Sequence, residues 1–78
     1  MPTVLRTEGY RCFFYSSDRA EPSHVHVEKD ENTAKIWLNP VRIQSSHGFS
    51  SSELNRIIRI VTENRDELIR SWDEYFKE

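Results

Sequence analysis

Residues 24–29 read His-Val-His-Val-Glu-Lys, and this strict polar–apolar alternation is the tightest constraint in the chain. A period of two fits an extended strand, whose successive side chains leave on opposite faces. Val25 and Val27 then point one way, and His24, His26 and Glu28 point the other. Such a strand needs an apolar layer over its valines and accepts polar surroundings on its other side. With 78 residues the chain makes one domain, so that layer must come from nearby in sequence.

The neighbouring segments supply it. Thr3–Arg6 predicts a short strand, turned by Thr7-Glu8-Gly9 into Tyr10–Ser16, which is rich in aromatics. Ser17–Ser23 reads as a loop because it holds Asp18 and Pro22. Asp30-Glu31-Asn32 turns the histidine strand into Thr33–Leu38, which ends at Asn39-Pro40, and Val41–Ser45 predicts a last edge strand. Connections this short favour antiparallel neighbours. At residue 50 the period changes. Ser50 and Glu53 fit a capping box, and Leu54, Ile57, Ile58, Val61, Leu68, Trp72 and Tyr75 follow at helical spacing. The predicted fold is α+β: a small antiparallel β-meander of four or five strands (residues 1–49), then one long C-terminal helix (50–77) packed on one sheet face.

Composition removes several classes of function. Apolar residues are 36% and charged residues 31% of the chain, with nine aromatics and two glycines, which argues against disorder. No apolar run reaches the length of a membrane span or signal peptide. A lone cysteine, Cys12, excludes a disulfide framework and a multi-cysteine zinc site, so a reducing cytoplasm is the expected location. By parity Cys12 sides with Phe14, toward the helix, as a small buried group. The net charge of −2 excludes an overwhelmingly basic nucleic-acid binder but leaves room for a local basic face. Residues 1–49 carry six basic and six acidic side chains and all three histidines. Residues 50–78 carry five and seven.

Parity sorts the chemistry-bearing residues onto the face without the helix: His24, His26, Glu28, Arg11, Lys35, Phe13, Tyr15 and Trp37. Three uses of His24-Val25-His26 compete with an ordinary solvated strand face. The imidazoles can serve as general acid and base, with Glu28 or Tyr15 orienting one of them. They can contact phosphate or an acidic partner. They can share a metal, which needs a third ligand from Glu21, Glu28 or His47 and ranks last for that reason. The acid–base reading calls for no cofactor. Phe13, Tyr15 and Trp37 beside Arg11 and Lys35 match a platform for stacking bases, or else cover one another as cross-strand pairs.

Taken in order, MPTVLR, GYRCFFYSSD, EPSHVHVEK, AKIWLNPVRI, GFSSSELNRI and RSWDEYF resemble one family of small bacterial proteins. It is the domain-of-unknown-function family numbered four-one-six-zero, and the resemblance runs from Met1 to about Phe76. The signature positions are Arg11, Tyr15, Glu21, Pro22, His24, His26 and Glu28, while Cys12 stands where relatives often have an aromatic. The resemblance implies a short β-meander followed by one helix. Members are often encoded beside a small partner protein, which implies a toxin–antitoxin-type module.

From these readings the expected function is the toxin-like component of such a module, a metal-independent ribonuclease or RNA-binding protein. His24 and His26 would exchange protons with the ribose 2′-hydroxyl and the leaving oxygen, with Arg11 or Lys35 on the phosphate. The alternatives are a non-catalytic module docking a small antitoxin-like partner, and a metal-binding protein using His24 and His26. A helix from Ser51 to Lys77 would be roughly 40 Å long, against strands of at most roughly 23 Å. It must break near Thr62–Asn64 or project past the sheet. Leu68, Trp72, Tyr75 and Phe76 are therefore expected to meet a partner or a second copy in a homodimer, or else the N-terminal segment Pro2–Leu5.

Overall fold

A computed structural model describes residues 3–77, and Pro2, expected in the N-terminal segment, lies outside the described residues. Five strands, β1 (Thr3–Thr7), β2 (Tyr10–Phe13), β3 (His24–Lys29), β4 (Asn32–Leu38) and β5 (Val41–His47), form one antiparallel meander in chain order. The tight turns between them are chemically apt. Glu8 and Gly9 both take positive φ (53° and 86°) between β1 and β2, and Asp30 (φ 55°) opens the turn after β3. Asn39-Pro40, a cis peptide, joins β4 to β5.

The strand register bears out the parity reading. Cys12 pairs with Val27, and Val27 with Ala34, on the face that the helices cover. Arg11 pairs with Glu28, Phe13 with His26, His26 with Lys35, and His24 with Trp37, all on the other face. A bulge between Lys35 and Ile36 of the β4–β5 ladder changes what β5 presents. Arg42 pairs with Trp37 and Ile43 with Ile36, but Ser45 then pairs with Lys35 and His47 with Thr33. The extra residue, Gln44, flips the alternation. Arg42, Ser45 and His47 consequently share the histidine face, whereas unbroken parity would send Arg42 and His47 to opposite sides.

The single long helix predicted from residue 50 is two helices, α1 (Ser51–Glu63) and α2 (Arg65–Phe76). Ser50 caps α1 through the expected box, its Oγ accepting the Glu53 N–H at 3.2 Å. The break falls at Asn64, whose backbone (φ −111°, ψ 14°) leaves the helical region. Its Nδ2 donates to the Ile60 carbonyl at 2.8 Å, the local competition by which Asn disfavours a helix interior. Arg65 fixes the new direction, donating from Nε to the Leu38 carbonyl and from a guanidinium nitrogen to Asn39 Oδ1, each at 3.0 Å. The break keeps both helices over a molecule whose extents are 37 × 22 × 20 Å.

Ile57, Ile60 and Val61 of α1 and Leu68 and Trp72 of α2 close over Cys12, Val25, Val27, Ala34, Ile36 and Leu38. Ile60 is buried here although it falls outside the helical stripe read from the sequence. Cys12 is enclosed as expected, and burial raises its thiol pKa to about 11, so it is held as an inert thiol. The helix end finds cover within its own chain. Phe14 packs against Trp72, Tyr75 and Phe76 at centroid distances of 5.3, 6.0 and 6.1 Å, and Val4 lies in a shallow depression beside Tyr75. Leu68 and Trp72 are therefore buried within their own chain, without a second copy. Tyr75 stays 37% exposed.

Trp72 joins α2 to Phe14 and to the start of β3, so Trp72→Ala is expected to remove about 3–5 kcal/mol of stability. Urea unfolding followed by circular dichroism checks this, the midpoint falling while the slope stays constant.

Candidate functional site

The segment predicted as a loop before β3 contains a turn of 3-10 helix, Ser16–Ala20, and this turn builds the site. Asp18 folds back to accept the Tyr15 N–H at 2.8 Å, while its own N–H donates to the Tyr15 carbonyl at 3.0 Å. A short polar residue that bonds its own backbone neighbours is the usual way such turns are held. The closed turn leaves Asp18 8% exposed and brings its carboxylate over the first half of β3.

Asp18 there meets both histidines. His26 Nε2 lies 2.9 Å from Asp18 Oδ2; a carboxylate only accepts, so Nε2 carries the proton and Nδ1 is the basic nitrogen of the neutral ring. His24 is fully buried, ringed by His26, Trp37 and Trp72 at centroid distances of 5.1, 5.6 and 5.1 Å. Its Nδ1 donates to the Pro22 carbonyl at 2.9 Å. Its Nε2 stands 3.2 Å from Asp18 Oδ1 yet has no aligned hydrogen-bond partner. Ligand atoms of Asp18, His24 and His26 all lie within 4.8 Å of one another.

Burial pushes the His26 pKa below its ordinary value, and the nearby Asp18 carboxylate only partly offsets this. Burial alone would raise the Asp18 pKa. The Tyr15 N–H and the two imidazoles together outweigh that penalty and hold it below the usual carboxylate range.

The other residues expected at the site divide sharply. His26, Lys35, Tyr15 and Phe13 line one cleft of about 220 Å³ together with Thr33, Ser45 and His47. His47, carried there by the bulge, enters as a second imidazole on the cleft wall. His24 does not reach solvent, so it cannot touch a substrate as the exposed acid or base that alternation suggested. Glu28 is tied to Arg11 rather than to a histidine, and Arg11 lies over the Phe13 ring, 4.3 Å from its centroid. Phe13 itself is only 3% exposed, pressed by His26 at 5.5 Å and Tyr15 at 5.2 Å, so it offers no open ring for stacking. Trp37 sits under Lys35 Nζ at 5.1 Å and lines a second depression with Arg42. Lys35 also pairs with Glu21. Thus neither Glu21 nor Glu28 completes a metal set with the histidines. Asp18 holds that place, and strand parity gave no signal for it because its turn lies outside the sheet.

A family model described as "Domain of unknown function (DUF4160)" matches residues 9–73. The chain belongs to this family. The matched span takes in Asp18, His24, His26 and His47 of the DUF4160 chain, together with all of β2–β5 and most of both helices. No curated protein and no solved structure matches it. Among the described residues no helix is long and apolar enough to cross a membrane.

The two titrating groups act in the same direction on stability. Because the folded His26 pKa is depressed, the unfolded chain binds the extra proton more readily, and stability falls as pH drops through about 6.5. The depressed Asp18 pKa contributes stability above about 3.9 that is lost as pH falls through its folded value. Thermal unfolding against pH is expected to show Tm falling below about 6.5 and again at strongly acid pH. His26→Gln should flatten the upper fall and shrink the lower one, because His26 is part of what depresses the Asp18 pKa.

Proposed function

We propose that this chain is a small RNA-directed protein that cleaves single-stranded RNA across its uncovered sheet face, as the toxin-like half of a two-protein module. The observation that carries the reading is the oriented dyad, His26 held by Asp18 at 2.9 Å at the wall of a cleft that also contains His47 and Lys35. A carboxylate behind an imidazole selects the tautomer and stabilises the imidazolium that forms on proton uptake. Burial keeps His26 neutral near pH 7, the state a general base requires.

In the proposed reaction His26 Nδ1 takes the proton of a ribose 2′-hydroxyl. The 2′-oxygen attacks phosphorus, the phosphorus–5′-oxygen bond breaks, and protonated His47 delivers a proton to that oxygen. The products are a 2′,3′-cyclic phosphate and a free 5′-hydroxyl. Lys35 lies opposite His26 on the strand between the two imidazoles, and in the reaction it exchanges Glu21 for the phosphate oxygens. Trp37 and Arg42 in the adjoining depression offer one face for a base and one cation for its phosphate. His47 thereby takes the part that spacing alone assigned to His24, and Arg11, tied to Glu28 and not lining the cleft, takes none.

The test is cleavage of a labelled single-stranded RNA in the presence of a chelator, with a 2′-O-methyl copy as control. The expected outcome is a cyclic phosphate product from the first substrate and none from the second. His26→Ala and His47→Ala should each lower the rate by about 10²–10⁴-fold. Induced expression should arrest bacterial growth for the wild type and not for His26→Ala. RNA binding without turnover would assign the face to contact alone, and turnover unchanged in His26→Ala would remove the dyad from the mechanism.

A further inference from the structure

His24 poses a problem in elementary electrostatics. Its Nδ1 gives its proton to the Pro22 carbonyl, so in the neutral ring Nε2 carries a lone pair. That lone pair lies 3.2 Å from a carboxylate oxygen, inside a fully buried residue, with no donor to separate them. Two acceptors at this distance repel, and burial removes the water that would screen them. A positive charge on Nε2, whether a proton or a metal ion, turns this contact into the attraction that helps lower the Asp18 pKa.

We propose that Asp18, His24 and His26 form a binding site for a divalent first-row transition ion. Two imidazole nitrogens and one carboxylate oxygen suit such an ion, whereas magnesium and calcium prefer oxygen donors throughout. Donors about 2.0–2.2 Å from one ion lie roughly 3–3.5 Å apart. The contacts of Asp18 with His26 (2.9 Å) and His24 (3.2 Å) are already near that spacing, and all three donors lie within 4.8 Å. The Pro22 carbonyl on His24 Nδ1 is the outer-shell bond that ligating histidines generally make, fixing the ring with Nε2 forward. Asp18 and His26 side chains are 10% and 18% exposed, which gives an ion a way in and leaves room for solvent on its open side.

Coordination takes His26 Nε2, the nitrogen that donates to Asp18 in the free dyad, so its proton moves to Nδ1. The ion-bound and proton-transferring forms are then alternatives of one cluster. The site itself does not depend on the RNA reading.

Tag-free, chelator-stripped protein titrated with zinc chloride by calorimetry is expected to take up one ion per chain. Cobalt(II) should give a visible absorption that saturates at the same ratio. Asp18→Asn and His26→Gln should each weaken zinc by at least about tenfold. In nitrogen-15 spectra of the wild-type imidazoles, zinc should shift the Nε2 resonances of His24 and His26 and leave those of His47 in place; this readout stands even where a variant fails to fold. No uptake at equimolar zinc, or uptake that leaves the His24 and His26 resonances unmoved, would overturn the site. None of these measurements contains RNA, so their failure and the failure of the cleavage assay are separate results.

Discussion

The carboxylate of Asp18 is the point on which the uncovered face depends. It accepts the Tyr15 N–H, which closes the short helical turn, and it accepts from His26, which fixes that ring on the sheet. It also stands against the buried His24, so one side chain joins the connection after β2 to the start of β3. A charged group this enclosed is tolerated because its neighbours are donors and imidazoles. The same attraction depresses its pKa and orders the groups around it. Most side chains from Ser16 to Ser23 are exposed, so the segment is held over the sheet by this carboxylate together with the Glu21–Lys35 pair and the bonds accepted by the Pro22 and Ser23 carbonyls.

Two irregularities in an otherwise plain meander shape the rest. The bulge in β5 turns His47 toward His26 and Lys35, converting a flat strand face into a cleft with two imidazoles on its walls. The break at Asn64 bends the C-terminal segment back over the sheet, so Trp72 reaches both Phe14 and His24. The histidine strand is thereby clamped from two sides, by the Asp18 turn and by α2. Ion pairs farther out contribute less. Arg59 holds Glu8 with two contacts of 2.9 Å, but both side chains are largely in water, where such pairs are weak.

Much of this was legible in the residues. Alternation in His24–Lys29 and Thr33–Leu38 gave the correct partition of side chains between faces, and the register made neighbours of the residues it had grouped. The capping box at Ser50 marked the start of α1 to the residue. The site was less legible. Alternation states which face a side chain leaves from and says nothing about what folds over that face, so it showed His24 as exposed when Trp37, Trp72 and the Asp18 turn enclose it. It also proposed Phe13 as a stacking surface, although Arg11, Tyr15 and His26 occupy its ring. Glu21 and Glu28 looked like the available carboxylates, but each lies beside a cation that the ladder brings close.

The chain by itself determined the order and type of its elements, the two faces of the sheet and the helical cover on one of them. These follow from periods of two and 3.6 residues, which are local properties of a polypeptide. Tertiary structure alone decided that Asp18 meets His24 and His26, that a single extra residue in β5 delivers His47 to the same cleft, and that one histidine is sealed while the other stays in reach of solvent. Those outcomes depend on contacts between residues six to more than twenty positions apart. Their distances are set by the closing of a turn and the packing of a helix, and no local period encodes them.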